Sequence, residues 1–463
     1  MRLKRVGRSG AGLTAGAFVQ RAGGDAGAPS RRHAMKHPTK TRLIPIVTIL
    51  LAVAVTAEAV AQTGYGRGRS GLPRVELPDE PWIMNTHLIP EVKVSVVARG
   101  INRPWSLAFL PKGDMLITER GGALRLVRDG VLVDEPIAGV PDDVLARSLA
   151  GMMEVAVHPH FADNGYVYLT YTRQVSGREG TVALVRGKLD GMSLVDVEDV
   201  FVAEPWGGSI AAARLAFVPG EDIMYMTMGG AFGADLVDGT QSFFGHAKLA
   251  QDPNSHAGKT LRLRLDGSVP DDNPFVGMEG HKPEVYSMGH RNQMGLALHP
   301  ETHQPWTTEH APQGGDELNA IEAGRNYGWP VVSYGRHYNG VRISERFWAE
   351  GMEEPAIFWL PSIAPSGLMF YTGDAFPEWK GNLFAGALMT GRMPNTGHLE
   401  RLIFSEAGEE LGREWLLKGI GKRIRDVRQG PDGFIYVITD ETDGALMKLE
   451  PVETAEEEET TTG

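Results

Sequence analysis

The chain has 463 residues, 42% hydrophobic and 22% charged, with 58 glycines, 29 prolines, no cysteine and a formal net charge of −12. Without cysteine there is no disulfide framework, thiol nucleophile or thiolate metal site, and the acidic balance argues against a nucleic-acid surface. Glycine exceeds the usual ~7% and no long 3.6-period stretch occurs, so short strands joined by tight turns are expected around one large core.

In chain order, residues 1–34 are Arg/Gly/Ala-rich without pattern and are read as a non-structural upstream segment, with translation expected to begin at Met35. Residues 35–61 have the layout of a signal peptide: Lys36, Lys40 and Arg42, an apolar run over 43–55, and Ala59-Val60-Ala61 as the cleavage site. The apolar run is short for a membrane span. A periplasmic or secreted protein with no stable span after cleavage is therefore expected. Residues 62–92 read as an extended linker, 93–450 as the folded domain, and 451–463 as a disordered acidic tail. One short helix is expected near 142–153.

Within the domain one pattern recurs. An apolar triplet leads through a Pro/Gly/Asp turn into a strand rich in β-branched and aromatic residues. The copies begin near Leu107, Val155, Leu215, Leu296, Gly367 and Val427. Each is a hairpin signal, and a lone hairpin cannot bury its apolar face. Six such units arranged radially can, which predicts an all-β, six-bladed β-propeller. A sandwich would lack this longer period.

Several motifs resemble the soluble quinoprotein sugar dehydrogenases, the glucose/sorbosone dehydrogenase family. They are RPWSLAFLP (103–111), HPHFADNGYVY (158–168), NSHAGKTLRLRLDGSVPDDNPF (254–275), GHRN (289–292), TEHAPQGGDELN (308–319) and NYGWP (326–330). The resemblance runs in order over about 94–449. It implies a six-bladed propeller that holds pyrroloquinoline quinone and calcium in a cavity at its top, oxidises a small-molecule sugar or alcohol, and passes electrons to an acceptor.

By this resemblance Arg291 and Asn292 lie beside the cofactor carbonyls, and Arg423 and Arg425 bind its carboxylates. Arginine's planar fork suits that task. Without the resemblance, Arg423 and Arg425 would read as one solvated face of a strand. The Ala311 and Pro312 carbonyls fall where the family holds the cofactor's calcium, an ion that takes oxygen ligands. Asp316, Glu317 and Tyr327 fall at its second, structural calcium site; from the residues alone, Asp316-Glu317 is a surface carboxylate turn. His310 is expected to support the metal loop.

The chain also departs from the family. Where the resemblance implies the histidine that accepts the substrate's proton, the sequence has Ile210, four residues before Arg214-Leu215. An expected acid is replaced at Gly230, a glutamine at Leu149 and a lysine near Met389. The cavity is therefore expected to be more apolar, lined by Leu149, Met152, Met153, Ile210 and Met389. His246 is the candidate substitute base, with Lys248 beside it. Three readings follow: an exported quinoprotein oxidoreductase acting on an aldose sugar or related alcohol, a non-catalytic calcium-binding propeller that binds a ligand or partner, or an enzyme of another class built on the same pocket.

Overall fold

In four of the six repeats the second strand is buried at every position: Met115–Glu119, Ile223–Met228, Leu383–Ala387 and Ile435–Thr439. A strand covered on both faces needs no polar alternation. That is why these segments read as near-continuous apolar runs. The computed structural model describes residues 72–452 except 90, 148, 206–211, 231–234, 238–239, 243–245 and 339. The signal-peptide and upstream-segment expectations, and Ile210, lie outside the described residues.

The strands form six antiparallel sheets of four or five strands, plus one two-stranded hairpin, Asp235–Val237 with Thr240–Ser242. The sheets are the blades of a β-propeller. The six repeats correspond to the two innermost strands of each blade. The innermost are Pro104–Phe109, Met152–Val157, Leu215–Phe217, Gln293–Leu298, Pro365–Phe370 and Ile424–Gln429. The sixth blade is closed by both ends of the domain, Val92–Ile101 pairing with Gly444–Pro451 in the register Val94↔Leu449. This closure joins the ring without leaving an unpaired central edge. Trp82–Met84, inside the segment read as a linker, adds a fifth outer strand through Trp82↔Val94.

The helix expected near 142–153 is absent. Leu145 N–H bonds instead to the Thr172 carbonyl at 2.8 Å, and Met152 already begins a strand. Gly151 is not helical (φ 153°), and it packs so closely that a Cβ there would lie 2.1 Å from the Arg120 carbonyl oxygen. The one α-helical segment among the described residues is the single turn Phe161–Asn164.

A buried ionic group ties the inner strands together. Arg214 Nη1 lies 3.0 Å from Glu154 Oε2 and 3.0 Å from Asp426 Oδ1, while Arg428 reaches Glu154 at 2.6 Å and Asp426 at 3.0 Å. Arg214 also donates to the Met294 carbonyl and lies over the Trp105 ring, 4.1 Å from its centroid. Five blades thus meet at one guanidinium. Glu154 and Arg428 line a cavity of ≈ 440 Å³ at the lower end of the channel. A smaller cavity opens at the upper end.

Candidate functional site

The upper cavity has a volume of ≈ 110 Å³ and is lined by the starts of the inner strands, the loops before them and the residues that follow the second strands. Trp105 and Met294 form apolar walls, with Leu149, Leu388 and Met389. Arg120, Asn292, His310, Arg423 and Arg425 are its polar groups. Leu149 and Met389, both expected in the cavity, line it. Met152 and Met153 do not contribute to it; both are fully buried in the core between blades. Their strand presses its side chains against neighbouring sheets instead of the channel mouth.

Arg423 and Arg425 share one partner. Arg423 donates through Nε and Nη2 to Asp440 Oδ2 at 3.1 and 3.0 Å, and Arg425 through Nη2 at 2.7 Å. Burial works against the Asp440 charge, but the two guanidiniums outweigh it and hold the carboxyl below its ordinary range. One carboxylate against two guanidiniums leaves an excess positive charge at the cavity wall. Arg425 Nε and Nη1 are buried without a hydrogen-bond partner among the described residues. Buried guanidinium donors are costly to leave unpaired. Asn292 Oδ1 is likewise buried and unsatisfied. It rests against Gly229, where an added Cβ would lie 2.6 Å away.

Arg291 takes another course. Its Nη1 donates to the His310 carbonyl, its guanidinium lies 5.4 Å from the Trp329 ring centroid, and its backbone N–H donates to Glu309 Oε2 at 2.6 Å. Burial lowers its pKa. It does not line the cavity, but supports the loop carrying His310 from behind. Glu309 also accepts from Asn319 at 2.8 Å and meets His290 Nδ1 at 3.1 Å. At Gly230, a Cβ would stand 2.1 Å from the Arg291 carbonyl. The backbone therefore leaves no room for a side chain where the resemblance implies an acid.

His310 Nε2 lies 2.6 Å from the Pro365 carbonyl, so Nε2 carries the proton. Burial first, then Arg291 and Arg425, pushes its pKa to about 3. A neutral imidazole this weakly basic is a fixed hydrogen-bonding wall and a poor general base near neutral pH. His246 precedes the 3₁₀ helix Ala247–Gln251 and is not among the residues lining the cavity. Lys248, in the same helix, is exposed.

The calcium expectation divides by residue. The Ala311 and Pro312 carbonyls accept no hydrogen bond from a described residue, which fits a hard cation that binds carbonyl oxygens. Asp316 is differently engaged. Its Oδ1 accepts from Ala311 N–H at 2.8 Å, and its Oδ2 from the Ser362 hydroxyl and the Ile363 and Ala364 N–H groups. It is a clasp between loops, and burial pushes its pKa to about 6. Tyr327 has its hydroxyl committed to the Ala320 carbonyl and the Glu322 N–H. Its side chain is therefore a strut rather than a ligand. Glu317 faces Glu309 across the strand pair and is pushed well above the usual carboxylate range, by burial and then by Glu309. No cluster of three or more His, Asp or Glu able to hold a metal occurs among the described residues.

Sequence reasoning missed Asp440, Trp105 and Arg120. Trp105 lay in the RPW motif, but Asp440 carried no spacing signal. No described helix is long and apolar enough to cross a membrane.

Comparison with known proteins gives a consistent family. The Glucose / Sorbosone dehydrogenase family model matches residues 101–448. The aldose sugar dehydrogenase of Escherichia coli K12 is 37% identical over 368 residues, covering 78% of this chain and 93% of that protein. The crystal structure of the soluble E. coli aldose sugar dehydrogenase in its apo form superimposes with a TM-score of 0.70 at 35% identity, covering 78% of this chain and all of that one. The PQQ-bound aldose sugar dehydrogenase of Streptomyces coelicolor gives 0.60 at 26% identity, covering 81% and 99%.

Proposed function

Because this chain belongs to the glucose/sorbosone dehydrogenase family, we propose that its upper cavity binds pyrroloquinoline quinone and calcium and that the protein oxidises an aldose sugar or related alcohol, passing electrons to an external acceptor. The observation that carries this reading is the set of unsatisfied buried groups: Arg425 Nε and Nη1, and Asn292 Oδ1. A multiply anionic, carbonyl-bearing planar cofactor supplies what the two Arg425 donors lack, and a bound hydroxyl or ring N–H supplies what Asn292 lacks. The quinone, when bound, supplies a two-electron acceptor.

The chain's own residues do the rest. Arg425, oriented by Asp440, and Arg423 beside it hold anionic groups at one wall. The Ala311 and Pro312 carbonyls would hold the calcium, and Asp316 keeps their loop closed through its four donors. Trp105, Leu388 and Met389 exclude water from the opposite side, which strengthens every charge interaction inside. Export is part of the same proposal and rests on residues 35–61.

A second reading has one observation in its favour. Ile210 stands at the implied base position, and His310, the one histidine in the described cavity, has a pKa pushed to about 3. Under this reading the propeller binds its ligand without turnover. Titrating metal-free protein with the quinone and calcium, followed by dye reduction with aldoses, separates the two. Binding with turnover supports the oxidoreductase. Binding without turnover supports the second reading, and no binding sinks both.

A further inference from the structure

Beside the upper cavity lies a second pocket, of ≈ 340 Å³ against ≈ 110 Å³. That volume falls in the ~300–1,000 Å³ range of small-molecule sites. Arg423 is the one residue that lines both. The pocket forms where the N-terminal arm crosses loops of the fifth and sixth blades. Leu72 N–H bonds to the Pro394 carbonyl at 3.2 Å, and Asn395 Nδ2 donates to the Leu72 carbonyl at 2.6 Å, which brings Arg74 and Val75 to its wall.

The pocket is lined by charges of both signs that do not meet each other. Lys422 is 8% exposed, and its ammonium makes no hydrogen bond or ion pair among the described residues. A lysine so deeply placed is ordinarily paired, because an isolated buried charge is costly. Glu441 and Asp443, on the loop between the second and third strands of the sixth blade, form no ion pair with a described cation. Glu441 Oε1 accepts the Arg423 N–H at 3.2 Å, while Oε2 is buried without a hydrogen-bond partner among the described residues.

The backbone holds both signs in place. Lys422 follows Gly421, whose left-handed φ of 60° ends the 3₁₀ turn Lys418–Ile420. The Lys422 carbonyl oxygen stands 2.0 Å from where a Cβ on Gly397 would lie. The Glu441 carbonyl accepts from Arg103 N–H at 2.8 Å. Arg423 commits Nε and Nη2 to Asp440, which leaves Nη1 uncommitted. Charges fixed this way on supported elements are ready for a ligand without reorganisation.

We propose that this pocket binds a free α-amino acid, its carboxylate on Lys422 and Arg423 and its ammonium on Glu441 and Asp443. A ligand of one sign would leave either the lysine or the two carboxylates uncompensated; a zwitterion meets both. Val75 and Ile420 supply an apolar wall for an uncharged side chain. The site stands apart from the quinone reading, since it shares only Arg423 with the cavity.

The test is calorimetric titration of the full chain, without quinone or calcium. The probes are glycine, leucine and phenylalanine, each beside its N-acetyl and its amide derivative. At least one of the three amino acids is expected to bind, and its two single-charge derivatives about 10- to 100-fold more weakly. Lys422→Met, which keeps the length of the side chain, is expected to weaken the amino acid by a similar factor. Asp443→Asn, at an exposed position where folding is not at risk, should weaken it about three- to tenfold with an unchanged melting temperature. No binding of any of the three at about 10 mM, tenfold above a constant of ~1 mM, overturns the site. An N-acetyl derivative that binds as tightly as its parent overturns the zwitterion. An amino-acid constant unchanged in Asp443→Asn and in folded Lys422→Met places the ligand elsewhere and overturns the assignment.

Discussion

Arg214 and Glu154 meet at 3.0 Å in the middle of the propeller channel, each side chain 1% exposed. Their strands come from different blades, and Asp426 and Arg428 complete the group from a third. Breaking a buried pair from one side leaves an uncompensated charge and costs about 3–5 kcal/mol. Arg214→Met should therefore lower stability by about that amount in denaturant unfolding. Replacing exposed Arg342, paired with exposed Glu345, should change it by less than about 1 kcal/mol.

Arg425→Ala should weaken quinone binding about 10- to 100-fold, the size of one or two lost charge-assisted hydrogen bonds. Arg425→Lys should recover only part of this, because an ammonium cannot present the same two donors in a plane. Equilibrium titration of the metal-loaded protein measures both.

Asp440 gives a pH dependence of defined sign. Its folded pKa is depressed, because Arg425 and Arg423 outweigh burial. The unfolded state therefore binds a proton more readily. The stabilisation is fully present above the unfolded value of ~3.9 and is lost as pH falls through the folded pKa. Unfolding followed from pH 7 down to pH 3 should show this loss in the wild type. Asp440→Asn should remove that part of the slope while lowering stability at pH 7.

Gly229→Ala should act on the cofactor and little on the fold. The new methyl would stand 2.6 Å from Asn292 Oδ1, the end of a side chain, and 3.3 Å from the Ala212 backbone nitrogen, so the amide of Asn292 takes most of the displacement. Quinone affinity is expected to fall several-fold with a small change in melting temperature. A variant that binds the quinone like wild type removes Asn292 from the site.

Ile210→His restores a proton acceptor at the position implied by the family resemblance. Dye reduction with aldoses should rise, toward the ~10²–10⁴-fold contribution of a placed general base. An unchanged rate would show that the pocket differs by more than one missing group.

Much of the architecture was legible from local pattern. Hairpin signals near Leu107, Val155, Leu215, Leu296, Gly367 and Val427 each became the two inner strands of a blade, because turn chemistry and apolar period act over neighbouring residues. The helix expected near 142–153 failed for the converse reason. Gly151 and the Thr172 carbonyl belong to a packing arrangement that local propensity does not contain.

The sequence by itself determined the propeller and the family, since these are properties of repeat and motif, and it sets an isoleucine at position 210, where the resemblance implies a histidine. Tertiary structure decided the roles. It paired Arg423 and Arg425 with Asp440, turned Arg291 behind His310, sent Met152 and Met153 into the core, and spent Asp316 on loop closure. Each outcome depends on which blade lies beside which. That adjacency is set by closure of the ring, through contacts between residues tens to hundreds apart in the chain, and no local pattern encodes it.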